Sequence, residues 1–289
     1  MLTIAYIMGV EQGGDRNMNR ETVLNRLEDS PWQEWLSCSE TQLAHIFEPE
    51  PGLFIAESPN VIERAVQAGY QPYSFLIDTA FFRENVRRIT AQFPEIPVFL
   101  AENRTLNSVR GLHLTRGVLC AMRRKKAEPL SVSALGNRVV ILENIENPTN
   151  LGAVFRSAAA IGMDTVLLTK GCTDPLYRRA ARVSTGTVFQ IPWYSLPEEP
   201  DAADTVRLLQ SEGYLCAAMA LNENSLSLDD KRLKGIGKLA VVLGTEGEGL
   251  HAETVAACDY TVRIPMLHGV DSLNVAAAAA VAFWELRNR

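Results

Sequence analysis

An α/β protein of two successive units is the fold this sequence predicts, and three observations predict it. From Leu53 onward, short apolar runs alternate with helical segments, which implies mostly parallel sheet covered on both faces. The alternation is broken once, at residues 125–137 (KKAEPLSVSALGN), where Pro, Ser, Gly and Asn with weak periodicity mark a linker. Near the C-terminus the apolar run LAVVLG ends in a Gly-rich turn, followed by a second short strand and an almost wholly apolar helix. A length of 289 residues suits two domains.

The elements follow in order. Residues 1–45 are acidic and weakly patterned. They are set apart as an N-terminal extension of unassigned role, with residues 21–27 readable as a short helix. Residues 46–124 form a small α/β domain. FIAE is its first strand, and residues 59–69 are a helix with Gly69 as its C′ residue. Strands SFLI, PVFL and VLCAM alternate with helices over residues 80–92 and 102–110. After the linker, residues 138–289 restart with RVVILEN, a buried strand. A helix over residues 150–162 carries Leu151, Val154, Phe155, Ala158 and Ala159 as one apolar stripe. TVLL, VFQIP, YLCAAM and KLAVVLG read as further strands, with helices over residues 174–182 and 203–212.

Composition excludes several classes. No apolar run reaches the ~18 residues of a membrane span. The apolar start MLTIAYIMGV lacks a basic region before it and a cleavage motif after it, so a signal peptide is not expected. Five cysteines, odd in number and never in a C-x-x-C pair, favour a reducing cytoplasm and argue against a zinc site. Four histidines show no ligand spacing, and no metal is expected. No G-x-G-x-x-G follows the first strand of either half and no G-x-x-x-x-G-K-[ST] occurs, so ordinary dinucleotide and P-loop readings lack their phosphate cradle.

The net charge of −6 does not announce a nucleic-acid binder, but its distribution is uneven. Residues 51–138 carry 12 Lys+Arg against 7 Asp+Glu, between two acidic segments, and the run Arg123, Arg124, Lys125, Lys126 closes the basic stretch. Such asymmetry can mark a surface for phosphates, although the run taken alone suits a solvated linker better.

Three segments carry candidate chemistry. In ENPTNLGAVFRSAAAIG, Asn150 can cap a helix, and Gly152 allows close approach in its first turn. Arg156 lies roughly 130° from the apolar stripe at 100° per residue; alone it reads more simply as a solvated surface residue. In GTEGEGL, Glu246 sits between glycines at a strand end, where ligands of open α/β sheets bind. In IPMLHGVDSLNVAAAAA, Ser272 can cap a helix starting near Leu273. That helix is apolar on every side from Val275 to Trp284, so it must be buried in the core or against a second subunit.

The order and spacing N-x-G-x-x-x-R, G-x-E-G-x-G-L and I-P-M-x-x-G-x-x-S-L-N-V resembles the SpoU (TrmH) branch of the SPOUT superfamily, RNA ribose 2′-O-methyltransferases that use S-adenosylmethionine. The resemblance covers residues 138–287, and more weakly residues 53–124, which resemble a ribosomal-protein-like substrate-binding domain. Ala276 stands where the family pattern often has Ser. The resemblance implies a deep trefoil knot in the C-terminal domain, a rare exception to unknotted topology. It also implies a homodimer through that domain, structured RNA (tRNA or rRNA) as substrate, and no metal. It implies acceptor-side roles for Asn150, Arg156, Glu246, Ser272 and Asn274, and cofactor contacts at Gly244, Gly249, Ile264, Met266 and Leu273; with RNA as substrate, Arg123, Arg124, Lys125 and Lys126 of the basic stretch are the expected RNA contacts. The rivals are a non-catalytic RNA-binding protein with a degenerate knot domain, and a Rossmann-like small-molecule methyltransferase or dehydrogenase.

Overall fold

The computed structural model describes residues 20–107, 117–197, 201–222, 224–245 and 247–288. The chain divides into two compact units between Lys125 and Lys126.

The first unit holds a mixed five-stranded sheet. Its strands are β1 (Glu21–Leu24), β2 (Leu53–Glu57), β3 (Gln71–Asp78), β4 (Val98–Ala101) and β5 (Val118–Arg123), in spatial order β1-β4-β3-β5-β2. β5 runs antiparallel to both neighbours, while β1, β4 and β3 are parallel. Its helices are α1 (Trp32–Ser37), α2 (Glu40–Ala44), α3 (Pro59–Gln67), α4 (Glu84–Ala91) and α5 (Asn103–Leu106). Gly69 takes the positive φ expected just past α3. Residues 80–92 are divided, with a 3-10 turn at Thr79–Phe81 before α4. Residues 108–110 of the expected 102–110 helix lie outside the described residues.

Two expectations change here. Residues 21–27 are not a helix: Glu21–Leu24 is an edge strand paired with β4, and Leu27–Asp29 is a 3-10 turn. Residues 20–47 are also no detached extension. Trp32 and Trp35 are buried in one cluster with Leu53, Leu76, Phe99 and Leu119. Their rings meet edge-on at 5.3 Å, and Trp32 Nε1 donates to Ser74 Oγ at 3.0 Å. Burying two indoles anchors the segment to the sheet strongly, since aromatics dominate core burial.

The second unit is a seven-stranded sheet in which every pairing is parallel. Its strands are β6 (Arg138–Leu142), β7 (Thr165–Leu168), β8 (Trp193–Ser195), β9 (Leu215–Met219), β10 (Leu226–Ser227), β11 (Leu239–Leu243) and β12 (Tyr260–Arg263), ordered β10-β12-β9-β11-β6-β7-β8. The central strands β6 and β11 are buried at every residue, which is why they read as continuous apolar runs. Its helices are α6 (Pro148–Ile161), α7 (Arg178–Val183), α8 (Ala202–Ser211), α9 (Ala252–Ala257) and α10 (Val275–Leu286). VFQIP is not a strand. Gly186 in a left-handed conformation opens a 3-10 turn at Thr187–Phe189, and the strand falls later, at β8. The expected linker is partly core: Leu135 is fully buried and Thr165 Oγ1 donates to its carbonyl at 2.8 Å.

Arg138, buried at the start of β6, gives its guanidinium protons to four carbonyls, those of Asn137, Ile236, Gly237 and Leu286. Burial pulls its pKa down, though all three of its nitrogens find acceptors. This clip fastens the end of α10 to the centre of the sheet. α10 packs on α6 through Val275, Ala279, Ala282, Phe283 and Leu286. Its opposite face is exposed, with Val281 at 42% and Trp284 at 58%. The helix is therefore apolar all round but buried on one side only within this chain.

Candidate active site

The carboxyl ends of three adjacent strands, β9, β11 and β12, open into one cavity of about 810 Å³. That size and position suit a small-molecule cofactor. Its floor is the turn after β11. Gly249 N donates to Thr245 O at 3.1 Å and closes the turn on itself. A Cβ on Gly244 would lie 2.3 Å from the carbonyl of Gly249, so only glycine lets the strand end pass this close to the turn. The wall beyond is built by Ile264, Met266, Ser272, Leu273 and Val275. Asp271, Glu248 and Arg263 bring charge to an otherwise largely apolar lining.

All five residues expected to hold a cofactor, Gly244, Gly249, Ile264, Met266 and Leu273, line this cavity, and so does Ser272. Glu246 lies outside the described residues. Asn150 and Asn274, 124 positions apart, meet here: Asn274 Nδ2 donates to Asn150 Oδ1 at 3.2 Å. Two capping expectations shift by a few residues. Asn147, not Asn150, caps α6, with its Oδ1 accepting from Thr149 N at 2.8 Å, because Pro148 occupies the first helical position. Asn150 is thereby moved into the first turn and turned towards Asn274. Likewise Asn274, not Ser272, caps α10, accepting from Ala276 N at 3.0 Å. Ser272 is left exposed on the cavity wall. Arg156 is exposed on α6, does not line the cavity, and has no ion pair or hydrogen bond among the described residues.

The basic run is less available than its sequence suggests. The Arg123 guanidinium sits 4.7 Å from the Tyr73 ring centre, and Arg124 Nε donates to Leu53 O at 3.2 Å. Lys125 Nζ donates to Ala68 O at 2.6 Å and lies over the Tyr70 ring. Three of the four cations therefore fasten the end of β5 to their own domain.

The sequence reading missed Glu143. Its carboxylate is buried at the end of β6, accepting from Thr254 Oγ1 at 2.7 Å and from His251 N at 2.8 Å. These bonds hold the start of α9, whose Ala252, Val255 and Ala256 form another wall of the cavity. An acidic residue directly after the apolar run RVVIL was the available signal. Cys216 and Cys258 are pushed up to about 12, chiefly by burial, so neither is a thiolate at neutral pH. Among the described residues no cluster of His, Cys, Asp and Glu could hold a metal. None of the described helices is long and apolar enough to cross a membrane.

Comparison with known proteins agrees with this geometry. The family model for the SpoU rRNA Methylase family matches residues 137–284. An uncharacterized tRNA/rRNA methyltransferase of Mycobacterium tuberculosis is 36% identical over 239 residues, covering 81% of this chain and 80% of that one. The AdoMet-bound rRNA methyltransferase of Sinorhizobium meliloti superposes with a TM-score of 0.74 at 21% identity, covering 93% of this chain and 98% of that one, which bears on the fold alone. A solved RNA 2′-O ribose methyltransferase gives a TM-score of 0.69 at 25% identity, covering 92% and 97%. With a cofactor-sized cavity built from the motif residues and a family model spanning the unit that contains it, this chain belongs to the SpoU rRNA methylase family.

Proposed function

We propose that this protein is an S-adenosylmethionine-dependent methyltransferase acting on a ribose 2′-hydroxyl of structured RNA, tRNA or rRNA. The observation that carries the reading is the single cavity at the ends of β9, β11 and β12, beside which Asn274 joins Asn150. The cavity fits the cofactor. Backbone without side chains at Gly244, Gly247 and Gly249 admits close approach, the apolar Ile264, Met266 and Leu273 suit an adenine, and Glu248 and Asp271 suit a cationic sulfonium and amine.

When bound, S-adenosylmethionine supplies an electrophilic methyl group on a sulfonium sulfur that departs as a neutral sulfide. A ribose hydroxyl is a weak nucleophile, so the chain must align its oxygen with that carbon and accept its proton. Ser272, exposed at the wall, and the Asn150–Asn274 pair are placed to orient the acceptor. Glu246 belongs with this group by its motif position. Arg156, exposed on α6 outside the cavity, serves as a clamp on the phosphate next to the acceptor.

The same reading includes a deep trefoil knot in the C-terminal domain, and a homodimer through the exposed face of α10. An apolar stripe holding Val281 and Trp284 supports the dimer. It further includes RNA contacts from the N-terminal unit, and a cytoplasmic location. Incubating the protein with tritiated S-adenosylmethionine and unmodified tRNA and rRNA transcripts tests the activity. Label in RNA is expected; cofactor binding without any transfer would favour the non-catalytic alternative.

A further inference from the structure

We propose that Arg179 is an RNA-binding residue of the catalytic unit, gripping a backbone phosphate of the bound RNA strand further along from the one that Arg156 clamps. This deepens the reading of the site as an RNA methyltransferase and rests on it.

Charge within the second unit is segregated. Residues 147–190 carry five Lys+Arg against two Asp+Glu, whereas residues 191–289 carry eight against fourteen. Most of the basic charge of the first stretch falls on α7. This helix buries Ala180 and Ala181 completely and leaves Arg179 and Arg182 exposed. Arg179 makes no ion pair among the described residues.

The geometry links Arg179 to the active site in three short steps. Arg179 Nε donates to Thr149 Oγ1 at 2.8 Å. The next residue, Asn150, accepts from Asn274. Leu273 and Val275, on either side of Asn274, line the cofactor cavity. The Thr149 bond uses Nε and leaves both terminal nitrogens of the guanidinium, the pair suited to bidentate capture of a phosphate. α7 reaches this place because Gly152 has no side chain: a Cβ there would lie 2.6 Å from Ala180 O and 3.0 Å from Val183 Cβ. Arg156 extends the track, since it lies seven residues after Thr149 on nearly the same helical face, about 10 Å along α6. In the run at residues 123–126, three of the four cations are engaged within their own domain.

The test uses the full chain with Arg179→Ala, Arg179→Lys and Thr149→Val, and unmodified tRNA and rRNA transcripts. RNA affinity is measured against salt, with S-adenosylmethionine affinity by calorimetry. Arg179→Ala should weaken RNA binding about tenfold. It should also flatten the slope of log K against log[salt] by about 0.7, one phosphate contact on a single strand. Cofactor affinity should not change. Arg179→Lys should restore the slope but not the full affinity, because the fork is lost. Thr149→Val should weaken affinity and keep the slope. Wild-type RNA affinity and slope in Arg179→Ala would overturn the proposal, as would a parallel loss of cofactor binding, which would mark Arg179 as structural. RNA binding without methyl transfer by the unaltered chain would overturn the functional reading alone.

Discussion

Gly244→Ala is the smallest change that should close the cofactor cavity. One methyl group is added at the end of β11, and it would lie 2.3 Å from both the carbonyl carbon and the oxygen of Gly249, and 2.6 Å from Leu250 N. Ordinary contact begins near 3.4 Å, so the turn must retreat by about 1 Å. The atoms that must move belong to backbone and cannot swing aside as a side chain would. Overpacking of this kind costs about 1–3 kcal/mol of stability. In a unit of this size that lowers the melting temperature by about 2–4 °C per kcal/mol. Gly249 and Leu250 also line the cavity, so the same displacement should weaken S-adenosylmethionine binding by about tenfold or more. Two neighbours serve as controls. Both line the cavity, so they control for stability and not for affinity: Gly247→Ala meets no protein atom within 4 Å and should leave the melting temperature unchanged, while Gly249→Ala also meets open space but carries a φ of +74°, and so should lose about 1 kcal/mol from backbone strain. Calorimetric titration and thermal melts on the three variants measure both effects. Wild-type cofactor affinity in a folded Gly244→Ala protein would refute the argument that this turn forms the cofactor's floor.

Other predictions follow from single contacts. Glu143→Ala strands the Thr254 hydroxyl and the His251 amide, and should cost about 2–5 kcal/mol in urea unfolding while loosening α9 and raising the cofactor Kd. Arg156→Ala should abolish methyl transfer yet leave cofactor affinity within a few-fold, since the side chain is exposed and outside the cavity; a normal kcat would remove it from the mechanism. Trp284→Glu should convert a dimer to a monomer by light scattering, and a wild-type chain that is already monomeric would refute the α10 interface. Cys216 and Cys258 hold their protons up to about 12, whereas unfolded thiols lose them near 8.5. The unfolded state therefore binds fewer protons above about pH 9, so stability should fall as pH rises from there towards 12. A Cys216→Ala, Cys258→Ala chain should show a flatter alkaline limb in urea midpoints.

How much of this was legible in the sequence depended on the range of the interaction. The strands β6, β7, β9 and β11 could be read because each is an unbroken apolar run, the mark of a strand buried on both faces. The five residues expected to contact a cofactor were named through the family resemblance of the motifs that contain them, and all five line the cavity. β1 could not, since ETVL has one buried residue in four and exists only by pairing with β4, more than seventy positions away. The indole cluster that binds residues 20–47 to the first sheet is equally non-local. The caps were misplaced although local signals existed: Asn147 before Pro148 is an N-cap followed by an N1 proline, and Asn274 precedes the first uninterrupted run of alanines. The role of Glu143 was hidden because its partners lie 108 and 111 positions further along. Charge counts do not reveal that Tyr73, Leu53 O and Ala68 O engage Arg123, Arg124 and Lys125.

The chemical position of the transferred methyl tests the account most directly. RNA labelled by this protein can be treated with alkali, which cleaves a strand only through a neighbouring free 2′-hydroxyl. Nucleoside mass spectrometry can then identify the labelled unit. The account predicts that the label survives in alkali-resistant dinucleotides and appears as a ribose-methylated nucleoside. Label released in mononucleotides, on a methylated base, would contradict it.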